Sequence, residues 1–358
     1  MKRLVSLFLV LCLVLCGCGG AETPTEPTTE PTTEATTEPT TVPTEPPILY
    51  RHPLNGQPLD APYTVRPTAV VINNLKAALP HHGVADADIL YEIETEGGIT
   101  RCLAVFTELE GVASIGPVRS ARTFFNNISL SYDAPIIHCG GSVRGRNAGY
   151  EDSSEKISNW EHIDQVYNGS YFFRDKDRYY YKGYNWEHTL FTTGEDLLKG
   201  LADKGYTSTE ERDYGLQFDE EVKLDGFMAN SVVVSFRGDK TSSFEYDAAT
   251  GLYKMSQYGS EYIDGNSGEQ MTFKNVMVLY TSQWNRHDGE YSRSYYDLVG
   301  EGDGYLAING EIVKIKWSRE ALREQFVYTL EDGTPITLGV GTTYVAVASE
   351  TSTPVEYE

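Results

Sequence analysis

The stretch from Ala21 to Pro47 constrains this chain more than any other, because it is almost wholly threonine, proline and glutamate. It holds nothing that can fill a core. Its glutamates repel one another and its prolines favour extended backbone, so it reads as a disordered stalk. At about 3.1 Å per residue its full stretch is on the order of 80 Å. Folding is left to the roughly 310 residues that follow, enough for one large domain or two medium ones.

In front of the stalk stand Lys2 and Arg3, the run Leu4 to Leu15, apolar at every position but Ser6, and then Cys16-Gly17-Cys18. The run is shorter than a bilayer-spanning helix needs and reads as a signal-peptide core. Small Gly17 before Cys18 fits a lipobox, in which the Cys18 thiol takes a diacylglyceryl group and cleavage follows residue 17. Two acyl chains anchor stably where one does not. No later apolar run approaches spanning length. The expectation is a lipid-anchored protein on the extracytoplasmic face of the cell membrane. Its parts are a signal peptide (1–17), a lipidated linker (18–47), an N-terminal region (48–220), a C-terminal region (221–350) and a tail (351–358). Without Lys2 and Arg3 the chain has 27 basic residues against 52 acidic ones, a net charge near −25. Nucleic acid is thereby excluded as a general partner, and the membrane is met through lipid alone.

The N-terminal region alternates strand and helix patterns. Thr68 to Ile72, Ile89 to Ile93, Arg101 to Phe106 and Ile136 to Cys139 read as buried strands. Ser120 is placed to cap a helix carrying Phe124, Phe125 and Ile128, and Ile157, Trp160 and Ile163 recur at helical spacing. Thr192-x-x-Glu195 is a capping box for a helix that Gly205 ends. The fold expected here is mixed, layered α/β, with helices covering a sheet. From about Met228 the chain turns to strands and tight turns, with hairpin signals at Asn309-Gly310 and Asp332-Gly333, so the C-terminal part is expected to be mostly antiparallel β. Cys102 and Cys139 each sit in an apolar run, and both a disulfide and two buried thiols fit that setting.

Three places carry chemistry. In Ile115-Gly-Pro-Val-Arg-Ser-Ala-Arg122 a glycine loop leads into a helix start with two arginines, and Arg101 lies on a neighbouring strand. Free N–H groups and guanidinium forks at such a place suit phosphate or carboxylate. The bland alternative pairs Arg119 and Arg122 with Glu92, Glu94 or Glu96. In His138-Cys-Gly-Gly-Ser142 a strand ends in glycines beside a histidine and a serine. The nucleophile-elbow pattern is missing, and a satisfied core histidine competes with a hydrolase. Phe172-Phe-Arg-Asp175 and Glu187-His-Thr189 set aromatic rings beside Arg174 and His188, which suits either a saccharide or a loop locked onto the sheet. His81 and His82 are adjacent and point apart in extended chain, and no metal, P-loop or dinucleotide motif is present, so no metal or cofactor is expected.

The blocks Arg66-Pro-Thr-Ala-Val-Val-Ile-Asn-Asn74, Ala85-Asp-Ala-Asp-Ile-Leu-Tyr-Glu92, Glu96-Gly-Gly-Ile-Thr-Arg101, Gly116-Pro-Val-Arg-Ser-Ala-Arg122 and His138-Cys-Gly-Gly-Ser142 follow in one order. In this the chain resembles the YerB-type lipoproteins, a bacterial family with a two-part region of no established function. The resemblance runs from about Arg66 to Ala348 and implies a layered α/β fold and attachment outside the membrane, but no reaction. Around Glu187-His188-Thr189 the chain departs from the family pattern, which has a proline before the histidine and an asparagine after it.

Three functions are weighed. The first is a binding lipoprotein in which Arg101, Arg119, Ser120, Arg122, His138, Ser142, Arg174 and His188 surround an anionic or glycan-containing envelope ligand, such as a wall fragment or lipid-linked precursor. The second is an envelope enzyme acting on a phosphate-linked or wall glycan, with Glu96 or Asp88 as base or Mg²⁺ holder. The third is a scaffold for another envelope protein, which expects an exposed apolar patch on the β-rich half.

Overall fold

A computed structural model describes residues 50–142, 161–288 and 291–358. The signal, Cys18, the stalk, and Ile157 and Trp160 lie outside these residues.

Eleven strands make one large sheet. In chain order they are β1 (Thr68–Asn73), β2 (Ile89–Glu94), β3 (Thr100–Phe106), β4 (Ile136–His138), β5 (His162–Asp164), β6 (Phe227–Met228), β7 (Asn275–Tyr280), β8 (Gly300–Ile308), β9 (Glu311–Arg319), β10 (Val327–Leu330) and β11 (Thr343–Ala348). Across the sheet they run β6-β9-β8-β7-β11-β2-β3-β1-β4-β5, with β10 beside β9. β3 is antiparallel to both β1 and β2, while β4 and β5 follow β1 in parallel. β2 pairs in parallel with β11, and β11 with β7, so the two halves of the sequence share one ladder.

β1, β2, β3 and β11 are buried at every residue, which explains their near-continuous apolar runs. Val70, Ile72, Leu90 and Ala104 face a second, six-stranded sheet through Val232, Val234 and Phe244. Ala69, Val71, Leu103 and Val105 face helix α1 (Thr123–Ser131) through Phe124, Phe125 and Ile128. Only two other α-helices occur among the described residues, α2 (Lys176–Tyr180) and α3 (Gly194–Lys204). The molecule is therefore mostly sheet, and of the helix cover expected over its N-terminal strands α1 supplies one face. A second sheet takes much of the cover that helices were expected to give. Ile163 lies in strand β5, not in a helix.

Where the two sheets meet, Glu92 is wholly buried and accepts from Asn74, Thr100, Ser242 and Tyr344, with Lys240 Nζ at 3.0 Å. Burial pushes this carboxyl upward, yet Lys240 and the hydroxyl donors outweigh it and the net shift is down. Glu92 is thus satisfied by Lys240; of the three glutamates offered as alternative partners of Arg119 and Arg122, it is Glu96 that takes Arg122. Cys102 and Cys139 are both free thiols.

Candidate functional site

The strand directions put the C-terminal ends of β1, β2, β4 and β5 at one end of the sheet, with the start of β3 among them. The loop from Ile115 to Arg122 crosses this end. Arg119 N donates to Val71 O at 2.8 Å and Val118 N to Leu190 O at 2.7 Å. Cys139 N donates to Arg119 O and Ala121 N to Gly140 O, stitching the loop to the end of β4. Gly116 has a φ of +150°, and a Cβ there would come within 2.8 Å of Leu190 O, so the close approach requires glycine. Arg122 is the N-cap of α1 and no side chain caps that helix; Ser120 instead offers its carbonyl to Arg101 Nη1 at 2.7 Å.

The arginines converge. Arg122 grips Glu96 with Nε at 2.8 Å and Nη2 at 2.6 Å, and Arg293 pairs with the same carboxylate. Arg119 pairs with Glu187. Arg174 donates to Trp186 O at 2.7 Å and lies over the Trp186 ring at 4.9 Å. Arg101, only 6% exposed, has no acceptor for Nε among the described residues. Burial, with the fields of Arg122, Arg119 and Arg293, drives the Arg101 pKa down, and Glu96 opposes them. Neither Arg101 nor Arg174 has a carboxylate partner among the described residues. In a chain this acidic, such a local excess of guanidinium groups suits an anion.

His188 joins the group. Asn73 Oδ1 accepts from Leu75 N, which leaves Asn73 Nδ2 to donate to His188 Nδ1 at 2.9 Å. The ring proton then sits on Nε2, 3.7 Å from Glu187 Oε1. Burial lowers the His188 pKa and so favours this neutral form. Beside it Trp186, Tyr179 and Tyr180 form an exposed aromatic ledge, with edge-on ring contacts at 5.2 and 5.0 Å. Buried Arg178 holds the ledge down by donating to the carbonyls of Ala78, Pro80 and His188.

Of the remaining expected residues, His138 and Ser142 sit at this same end of the sheet but are engaged otherwise, and Asp88 lies apart. His138 donates from Nδ1 to Gly140 O at 2.8 Å and accepts at Nε2 from His162 at 3.1 Å, so both ring nitrogens are occupied. Ser142 is buried just beyond it. Asp88 stands at the opposite end of the sheet, where it accepts from Thr107 N and Asn55 Nδ2 and holds two segments together. Asp88 and Glu96 therefore do not form an acid pair. Burial works to raise the Glu96 carboxyl, but Arg122 and Arg293 overcome it and hold it at about 2.

Sequence reasoning missed Arg293, Asn73 and the Trp186 ledge. Arg293 lies on a hairpin outside the large sheet (Gln283–Asp288 with Tyr291–Tyr296), and no local pattern says where that hairpin folds.

Residues 54–207 match the family model described as "Protein of unknown function (DUF3048) N-terminal domain", and residues 232–345 match its C-terminal domain. The chain belongs to the DUF3048 family. The N-terminal DUF3048 part supplies Glu96, Arg101, Arg119, Arg122, Arg174, Glu187 and His188, and the C-terminal part supplies Arg293. Among curated proteins, "Putative lipoprotein YerB" of Bacillus subtilis (strain 168) is 26% identical over 302 residues, covering 83% of this chain and 86% of that protein. The crystal structure of YerB protein from Bacillus subtilis aligns at a TM-score of 0.71 and 24% identity, over 86% of this chain and 99% of that one. At that identity the likeness is one of fold.

Proposed function

We propose that this protein is a lipid-anchored envelope protein whose sheet end binds an anionic, glycan-containing ligand, such as a wall fragment or lipid-linked precursor. One observation carries the reading: Arg101, Arg119, Arg122 and Arg174 gather beside exposed Trp186, Tyr179 and Tyr180, and two of the four lack a carboxylate partner among the described residues. Guanidinium groups take the anion and rings stack on sugar faces. The anchor is supported by the Cys18 lipobox and by the relative's name as a lipoprotein. The catalytic alternative has less support. Glu96 is held ionised between two arginines, where its lone pairs are committed, and Asp88 is at the other end of the sheet.

The test is titration of soluble wall fragments into the full-length protein in detergent. Arg119→Ala with Arg174→Ala is expected to weaken binding at least tenfold at an unchanged melting temperature. Binding that survives the double substitution removes the reading. Cys18→Ala is expected to release the protein from the membrane fraction.

A scaffold role is the second reading, favoured by Phe227 and Met228, which are exposed at 67% and 71% on edge strand β6. Cross-linking from position 228 in cells tests it, and a chain that captures no envelope protein there argues against it.

A further inference from the structure

We infer that the anionic group this site takes is a carboxylate, and that Glu187 is its built-in stand-in. The inference rests on the binding role proposed above. Glu187 belongs to a single 3₁₀ turn (Trp186–His188), so it stands between the ring on which a sugar would stack and the histidine that Asn73 orients. One of its oxygens takes Arg119 Nη2 and the other faces His188 Nε2 at 3.7 Å. These two donors form a singly positive pair, one guanidinium and one neutral imidazole N–H. That pair matches one planar, singly charged, two-oxygen group. Glu187 already shows that such a group fits without a further substituent.

The stand-in is displaceable. The Glu187 side chain is 44% exposed and that of Arg119 26%. An ion pair this open shifts its equilibrium by about fivefold at most. His188 and Asn73 are buried and keep their geometry whichever carboxylate is present. An incoming uronic or lactyl carboxylate would take both donors, and its ring would meet Trp186, which also carries Arg174 and Tyr179. Glu187 then swings to solvent. Ligand and Glu187 compete for one place, so Glu187 tunes affinity downward and screens out weaker anions.

The experiment titrates full-length protein in detergent with a trigalacturonate and, separately, with a glycerol-phosphate trimer. Wild type, Glu187→Gln and Arg119→Ala are compared. Glu187→Gln is expected to bind the uronate about fivefold tighter, because the competitor has lost its charge. Arg119→Ala is expected to bind it at least tenfold weaker, and the phosphate trimer to bind wild type more weakly than the uronate. Uronate binding by wild type that Glu187→Gln leaves unchanged or weakens overturns the stand-in, and preference for the phosphate trimer overturns the carboxylate assignment, in both cases with the anion-binding role intact. If neither oligomer binds any of the three proteins, the anion-binding role itself falls and this inference goes with it.

Discussion

His81 donates from Nε2 to Asn73 O at 2.6 Å and accepts at Nδ1 from the Tyr262 hydroxyl at 2.5 Å, with no solvent exposure. Burial holds its pKa down at about 3, against the upward pull of the Asn73 carbonyl. In the unfolded chain the ring titrates near its ordinary 6.5, so acid protonates the unfolded state first. The contribution is complete above about pH 6.5 and is lost as pH falls towards 3. His162, held at about 4 chiefly by burial, acts in the same direction. Glu96 starts to lose its own contribution only below its ordinary 4.5. Between pH 7 and 5 the histidines therefore dominate, with His81 alone worth roughly 2 kcal/mol at pH 5. Thermal melts are expected to show a midpoint several degrees lower at pH 5 than at pH 7, and a flat profile would contradict the burial argument. The sequence showed that His81 and His82 diverge, and they do: His82 turns to Ser114. Their partners Tyr262 and Ser114 are far away in the chain and no local pattern names them.

Local chemistry predicted the elements better than their caps. Asn309 and Gly310 have positive φ values of 54° and 79°, the turn their dipeptide demands, and β8 and β9 pair on either side. Gly205 ends α3 in the left-handed conformation, as expected. The N-cap of that helix is Thr193 and not Thr192, because Thr192 Oγ1 is spent on Tyr171 O at 2.7 Å. Ser120 fails as a cap because the loop is laced to β1 and β4 and enters the helix two residues later than the pattern implies. That lacing depends on Gly116. Gly116→Ala places a methyl against Leu190 O and is expected to cost about 1–3 kcal/mol, as strained backbone positions do. It should also weaken ligand binding, because Arg119 moves with the loop. Urea unfolding and the wall-fragment titration read the two effects, and a variant with native values for both would show that the loop tolerates a shift.

The large sheet is assembled from both ends of the folded chain, with β11 between β2 and β7 in parallel register. A chain ending at residue 225 would leave the β2 edge open and strip the second sheet from Val70, Ile72 and Leu90. Such a chain, and its complement beginning at 226, are expected to lack dispersed amide NMR spectra when expressed alone; a dispersed spectrum from either would show that the halves fold independently. Most strands of the large sheet and the best hairpin were legible from residues a few positions apart, because composition, periodicity and turn geometry are local properties; the stalk and the lipobox are read from the same local properties and lie outside the described residues. The sheet order, the second sheet laid over the first, and the meeting of Arg101, Arg119, Arg122, Arg174 and Arg293 around two glutamates were decided by tertiary structure alone. Which buried strand pairs with which, and which loop lands on a strand end, depends on the packing of the whole core, and such long-range contacts leave no periodic trace in the chain.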